Sequence, residues 1–114
     1  MSLTNEPLYQ VDIESRLDLL NQQLEEEVER FAELTVERAE AEFEYKRAYN
    51  RAVLQSTDGT VAQKEARAFG KSANEFRDYK IAEALEKATQ QKLMAIRSQI
   101  DSSRTISANI RNLT

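Results

Sequence analysis

The feature that most constrains this chain is a single turn signal close to its midpoint. Helix-breaking residues are otherwise scarce, since the 114 residues include only two glycines and one proline. The segment Ser56-Thr57-Asp58-Gly59-Thr60 is the one place where several residues that disfavour a helix occur together. Asp-Gly is a turn dipeptide, and Gly59 suits the left-handed conformation that ends many helices. The sequence therefore predicts two long helices joined at this segment.

The residues after the turn carry a helix-start signal. Thr60 is followed three residues later by Gln63, which is the pattern of a capping box. Because a short loop joins helices that pack as antiparallel neighbours, we expect a hairpin over residues 10–114. Helix 1 is predicted at about residues 10–56, the turn at 57–59 and helix 2 at about 60–110. Residues 1–9 are expected to form an N-terminal arm.

Apolar residues recur at helical spacing on both sides of the turn, and alternation typical of strands is absent. Before the turn the predicted stripe contains Ile13, Leu17, Leu20, Leu24, Val28, Phe31, Leu34, Ala41 and Ala48, and it is flanked by Tyr45, Tyr49 and Ala52. After the turn it contains Ala62, Ala66, Phe69, Ala73, Phe76, Ala84, Leu85, Ala88, Leu93, Ile96, Ile100, Ile106, Ile110 and Leu113. Gly70 is expected to allow the helices to approach closely beside Tyr45 or Tyr49.

These patterns predict an all-α fold, namely a long two-helix antiparallel hairpin that resembles a coiled coil. Some apolar residues fall outside the predicted stripe: Leu19, Val36, Phe43, Val53 and Tyr79. Scattered surface apolar residues are normal. A two-helix hairpin of this length nevertheless lacks a closed core, so we expect a second hairpin to cover these residues in a four-helix bundle. The expected assembly is a homo-oligomer, with a dimer as its simplest form.

Charge is distributed unevenly along the chain, whose net charge is −4. Residues 1–56 hold 13 acids and 6 bases, and residues 57–114 hold 7 acids and 10 bases, so the halves carry −7 and +3. Opposite charges favour pairing of two neighbouring helices. The alternative is an acidic segment that binds a basic partner, but this segment also carries a full apolar stripe.

The composition argues against catalysis and metal binding. The chain has no Cys and no His, so it lacks thiolate ligands, the commonest metal ligand and the usual general base near neutral pH. The glutamates at 25–27, 29 and 33 lack the Glu-x-x-His element of di-iron bundles. We therefore predict no catalytic residue, cofactor or metal. No apolar run or signal peptide is apparent, so a cytoplasmic location without membrane contact is expected.

Arg97, Arg104 and Arg111 are spaced by seven residues and lie on one stripe of predicted helix 2. Such a stripe can bind phosphate or an acidic partner. The alternative is structural, with pairing across the hairpin to Asp12, Glu14, Asp18 and Glu6. We favour the structural interpretation, because independent nucleic-acid-binding domains are usually basic and this chain is acidic.

Two stretches carry a resemblance to a known group of proteins. One runs from Ala41 to Tyr49 (AEFEYKRAY) and on to the turn segment from Asp58 to Ala66 (DGTVAQKEA). The other is residues 96–111 (IRSQIDSSRTISANIR). Over roughly residues 15–112, the chain resembles small helical proteins of unknown function encoded by bacteriophages and prophages, often near replication and recombination genes. The resemblance implies the cytoplasm of an infected bacterium as the setting and assigns no catalytic residue.

Three functions fit these observations. The leading hypothesis is a non-enzymatic interaction module that self-associates and binds a protein partner. The second is an accessory DNA-associated factor in replication or recombination that uses the Arg97, Arg104 and Arg111 stripe. The third is an inhibitor of a host defence protein, in which an acidic helix face imitates nucleic acid.

Overall fold

The computed structural model describes the backbone of residues 5–113 and the side chains of residues 10–113. Three helices account for this part of the chain: α1 at Asn5–Gln55, α2 at Val61–Lys71 and α3 at Ala73–Leu113. Among the described residues, only 56–60 and Ser72 are not helical, and none forms a strand. The predicted all-α hairpin is confirmed.

Helix α1 begins earlier than the sequence pattern predicts. Its first residue is Asn5, so residues 5–9 belong to the helix and not to the predicted arm. Pro7 is compatible with this start. Proline has no backbone N–H, but the N–H groups in the first turn of a helix have no intrahelical acceptor, so no helical hydrogen bond is lost. The remainder of the predicted arm, residues 1–4, lies outside the described residues.

The loop between α1 and α2 follows from local side-chain chemistry. Gly59 has a φ of 96°, a conformation that costs an L-residue with a side chain steric strain. Thr60 is the N-cap of α2: its hydroxyl accepts a hydrogen bond from the backbone N–H of Gln63 at 3.2 Å. The amide oxygen of Gln63 accepts the Thr60 N–H at 3.0 Å. This reciprocal pair is the capping box that the sequence predicts.

Predicted helix 2 is divided at Ser72, where the sequence pattern predicts a continuous helix. The i to i−4 hydrogen bonds persist there, from Ser72 N to Ala68 O at 3.0 Å and from Phe76 N to Ser72 O at 2.9 Å. The Ser72 hydroxyl also donates to Ala68 O at 2.8 Å. A serine that bonds back to the preceding turn often bends a helix. The irregularity is therefore a local distortion within a continuous hydrogen-bond ladder.

The chain divides into two compact units. The first, here called the terminal unit, comprises Met1–Arg30 with Thr89–Thr114, and the second, the loop unit, comprises Phe31–Ala88. In the described part of the terminal unit, Lys92 Nζ donates to Glu27 at 2.7 Å and Gln10 Nε2 donates to Ser107 at 3.4 Å. Since numbers rise along α1 as they fall along α3, the helices are antiparallel.

The terminal unit contains the aliphatic core. Leu20, Ile96 and Ile100 are buried against one another, and Leu17 and Leu24 pack beside them. Their burial is the main hydrophobic stabilisation of this unit, because each fully buried aliphatic side chain contributes about 1.5–3 kcal/mol. This is the cluster that the sequence pattern predicts.

Inward-facing residues of the terminal unit follow steps of three and four, which is the heptad spacing of a coiled coil. On α1 these buried or half-buried residues are Gln10, Ile13, Leu17, Leu20, Leu24 and Glu27. On α3 they are Thr89, Leu93, Ile96, Ile100, Ser103, Ser107 and Ile110. We call these inward positions the seam.

The seam of the loop unit has the same spacing but different chemistry. On α1 it contains Phe31, Leu34, Arg38, Ala41, Tyr45, Ala48 and Ala52, and on α2 and α3 it contains Ala68, Ser72, Glu75, Tyr79, Ala82 and Glu86. Tyr45 is the centre of an aromatic cluster, with its ring 5.0 Å from Phe76 and 6.1 Å from Tyr79. Aromatic contacts and small residues replace the aliphatic core here.

The predicted stripe after the turn is correct at Phe76, which is half-buried, but is otherwise wrong in phase up to residue 88, and its later members Ile106 and Leu113 are exposed. Its members Ala62, Ala66, Phe69, Ala73, Ala84, Leu85 and Ala88 are exposed. The true seam includes Ser72, Glu75 and Glu86, whose polarity hides it from an apolar pattern. Gly70 is also exposed, and a Cβ built there would meet nothing within 4 Å. The predicted close approach at Gly70 is therefore wrong.

Candidate interaction surfaces

Arg38 and Glu86, two charged residues of the loop-unit seam, form an ion pair. Arg38 donates from Nε to Glu86 Oε1 at 3.3 Å and from Nη1 to Glu42 at 3.0 Å. Glu42 also contacts Lys46 at 3.0 Å. The hydrogen bond to Glu86 raises the pKa of Arg38, and the hydrogen bond from Lys46 lowers the pKa of Glu42. These residues satisfy one another, so we assign them a structural role.

A second polar group lies on α3 of the same unit. Tyr79 donates to Glu83 at 3.1 Å, and Lys80 donates to the other oxygen of Glu83 at 3.2 Å. The hydrogen bond from Lys80 lowers the pKa of Glu83, while the hydrogen bond to Glu83 raises the pKa of Tyr79. Tyr79 is half-buried, in contrast to the outward position predicted for it.

The three arginines of the predicted stripe are exposed on α3. They lie one residue after seam positions and so border the seam. Neither Arg97 nor Arg104 makes an ion pair with Asp12, Glu14 or Asp18, so the predicted pairing across the hairpin is wrong for these two. Arg111 lies in the last turn of α3. Its predicted pairing with Glu6 lies outside the described side chains.

Large apolar side chains remain on the outer side of α1. Val36 is 57% exposed, Phe43 62% and Leu54 83%. Leu19 is also exposed, whereas Val53, which was predicted to face outward, is half-buried. Because the seam cannot cover these outer positions, the hairpin leaves an apolar surface in contact with solvent.

This outer side of α1 also carries a separation of charge. Six exposed residues of the loop unit recur in steps of three and four and so lie on one face of the helix. We call them the charge-graded stripe: Glu37, Glu40, Glu44, Arg47, Arg51 and Leu54. The acids occupy its N-terminal half and the bases its C-terminal half. Within the stripe, Arg47 contacts Glu44 at 3.3 Å.

Both halves of the stripe border open grooves. The acidic half lines one groove with Glu75 and Asp78 of α3. The basic half lines another, in which Phe43 and Leu54 accompany the arginines and Lys46. The Oε2 atom of Glu75 is buried and accepts no hydrogen bond from a described residue. Glu75, which lines the acidic groove, therefore has one buried carboxylate oxygen without a hydrogen-bond donor.

The described residues offer no group of three or more His, Cys, Asp or Glu side chains arranged to hold a metal ion. No helix in the described part is both long and apolar enough to cross a membrane.

The turn residues Asp58, Gly59, Thr60 and Gln63 form the loop and cap described above, and Arg67 donates to the Asp58 carbonyl. Their hydrogen bonds stabilise the loop conformation.

Comparison with known proteins gives no match: no protein-family model, no curated protein and no solved structure is detectably similar to this chain.

The sequence pattern singled out the arginines of α3 but missed the charge-graded stripe of α1. The signal was present, because Arg47, Arg51 and Leu54 repeat the steps of three and four set by Glu37, Glu40 and Glu44. The stripe can be recognised as an outward-facing surface only when the seam of α1 is known, since the seam defines which positions face outward.

Proposed function

We propose that the protein is a non-enzymatic helical interaction module that self-associates and binds a protein partner. The observation that carries this proposal is the apolar surface on the outer side of α1, where Val36, Phe43 and Leu54 are each more than half exposed. Phe43 and Leu54 line one groove together with charged residues, and exposed apolar surface bordered by charge is typical of protein-protein interfaces. The predicted four-helix bundle is one assembly that would cover it.

Two features of the chain support a binding role over a catalytic one. The sequence has neither His nor Cys, so acid-base or nucleophilic chemistry would depend on other groups. The carboxylates with lowered pKa values, Glu42 and Glu83, are held by neighbouring cations. Their environments stabilise the ionised form, which is the opposite of what a general acid near neutral pH requires.

The biological setting rests on the resemblance to phage and prophage proteins. In that setting the partner is a phage or host protein in the bacterial cytoplasm. A copy that is not self-associated would present the partner with a long helical surface that is apolar at Phe43 and Leu54 and charged beside them. We expect a partner that presents an amphipathic helix, since helices pack readily on such a surface.

The oligomeric state tests self-association directly. Light scattering of the full chain across the micromolar range should give a mass of twice the monomer's 13.1 kDa, with dissociation on dilution. A mass of 13.1 kDa at every concentration would refute self-association. Circular dichroism of the same samples checks that the chain is folded.

Partner binding needs a separate measurement. Immobilised wild-type protein is compared with Phe43→Ser and with Gln22→Ser, a polar substitution at another exposed position of α1. A host protein retained by the wild type and by Gln22→Ser but not by Phe43→Ser would support the proposal. Equal retention by all three would show that the outer side of α1 does not bind it.

DNA association is the second candidate, and the exposure of Arg97 and Arg104 without ion pairs favours it. Unpaired arginines at this spacing are available to phosphate groups. Against it stands the net charge of −4, which opposes the approach of a polyanion. We therefore rank it below the interaction module.

A further inference from the structure

We propose that the charge-graded stripe is the self-association surface, and that two copies dock on it with their α1 helices antiparallel. This inference rests on the proposed self-association and specifies where and in what orientation it occurs. The occupant of the surface is a second copy of this chain, because the stripe is complementary to itself.

Self-complementarity follows from the order of charges along one helix face. A two-fold axis between residues 45 and 46 places Glu44 opposite Arg47 of the second copy and Glu40 opposite its Arg51. Such an interface is isologous, so each contact occurs twice. A parallel arrangement would instead place each acid opposite the same acid of the second copy. Charge therefore selects the antiparallel orientation.

The apolar residues beside the stripe fit the same arrangement. Leu54 of one copy falls near Val36 and Glu37 of the other, and Phe43 falls near Arg47. This covers the three exposed apolar side chains of the outer side of α1. It also brings a guanidinium next to an aromatic ring, which is a favourable contact.

The acidic groove gives a second, independent reason. Glu75 and Asp78 of α3 border the acidic half of the stripe, so this groove has five carboxylates and no base in its lining. Arg51, which makes no ion pair within the described part of its own chain, would supply donors when it enters the groove of the second copy.

Charge reversal provides the central test, with the oligomeric state of the full chain as the readout. Glu40→Arg makes both faces of the contact basic and Arg51→Glu makes both acidic, so each single variant should dissociate about tenfold more readily or worse. Mixing the two variants should restore association as a heterodimer. The double variant Glu40→Arg/Arg51→Glu should self-associate like the wild type, because its charges are exchanged and still complementary.

Two matched controls isolate position from net charge. Glu25→Arg and Arg77→Glu change the net charge equally, at exposed positions outside the stripe, and should associate like the wild type. Circular dichroism should show full helicity for all variants. A wild type that associates while neither Glu40→Arg nor Arg51→Glu weakens it would overturn this surface and leave self-association intact. A wild type that stays monomeric would overturn both.

Orientation is tested by disulfide formation, since the natural chain has no cysteine. Arg47→Cys lies close to the two-fold axis and should form a covalent dimer under mild oxidation. Leu54→Cys should not, because the two cysteines would lie about 25 Å apart along the helices at 1.5 Å per residue. Efficient linkage through both positions would indicate parallel docking, and linkage through neither would overturn the proposed surface.

Discussion

Arg38 of α1 and Glu86 of α3 meet within the seam of the loop unit, where the guanidinium Nε lies 3.3 Å from one carboxylate oxygen and 3.4 Å from the other. Both side chains are largely covered, with 27% and 17% of their surfaces exposed. A coiled-coil seam is usually apolar, so a charged pair at this site fixes the register of the two helices at a cost in stability. The pair explains how the loop unit aligns without an aliphatic core.

We expect Arg38→Met to lower the stability of the protein. Methionine retains the apolar stem but leaves Glu86 without its partner, so the denaturation midpoint should fall. The double variant Arg38→Met/Glu86→Leu should recover much of the loss, because no unpaired charge remains. Chemical denaturation of the wild type and the two variants measures this, and an unaltered midpoint in Arg38→Met would show that the pair does not contribute to stability.

Two neighbouring leucines of α1 should respond very differently to truncation. Leu20 is 4% exposed within the terminal-unit core, so Leu20→Ala should lower the free energy of unfolding by about 2–5 kcal/mol. Leu19 is 54% exposed, so Leu19→Ala should change it by no more than about 0.5 kcal/mol. Similar losses for both variants in urea denaturation would contradict the assigned seam.

Replacing each of the two glycines by alanine should change the stability of the protein in opposite directions. Gly59 has a φ of 96°, and an added Cβ would lie 2.5 Å from Gln63 Oε1, so Gly59→Ala should destabilise the protein by about 1–2 kcal/mol. Gly70 is helical with open space around it, so Gly70→Ala should stabilise it by about 0.5–1 kcal/mol. Thermal unfolding of both variants provides the measurement. Destabilisation by Gly70→Ala would contradict its exposed position.

Acidification should reduce stability through Glu42 and Glu83. Their pKa values are lowered from an ordinary value of 4.5, so the folded state holds the ionised forms more strongly than the unfolded state. This stabilisation is present above pH 4.5 and is lost as the pH falls through the lower, folded-state pKa values. Glu42→Gln should be less stable near neutrality and less sensitive to acid. Chemical denaturation of the wild type and Glu42→Gln at a series of acidic pH values provides the measurement, and equal acid sensitivity of the two would contradict the assigned role of Glu42.

The wild-type protein should not bind DNA at physiological salt. Arg104 is exposed and unpaired, so Arg104→Glu should leave the free energy of unfolding within about 0.5 kcal/mol of the wild-type value. A salt-dependent binding titration with duplex and single-stranded DNA checks whether the wild type binds DNA. Binding by the wild type that Arg104→Glu abolishes, with unchanged stability, would favour the DNA-associated function.

Local features of the fold could be predicted from the sequence because neighbouring residues specify them. Asp58 and Gly59 form the turn, and Thr60 with Gln63 caps the next helix, through hydrogen bonds that span only three residues. The aliphatic core of the terminal unit was equally predictable. Leucine and isoleucine side chains lose the most by exposure to water, so their spacing alone indicates which face is buried.

Tertiary structure alone decided the seam of α2 and of the first turns of α3. In α2 the apolar pattern marks a face formed by Val61, Ala62, Ala66 and Phe69, and the structure leaves that face exposed. Packing against α1 therefore sets the phase, and the apolar pattern does not. Glu86 lies inward because Arg38 of α1 supplies its counter-charge. Ser72 also lies inward, with its hydroxyl group satisfied by Ala68 O. A polar side chain is buried only where a partner exists. For Glu86 that partner is 48 residues away and no local pattern indicates it.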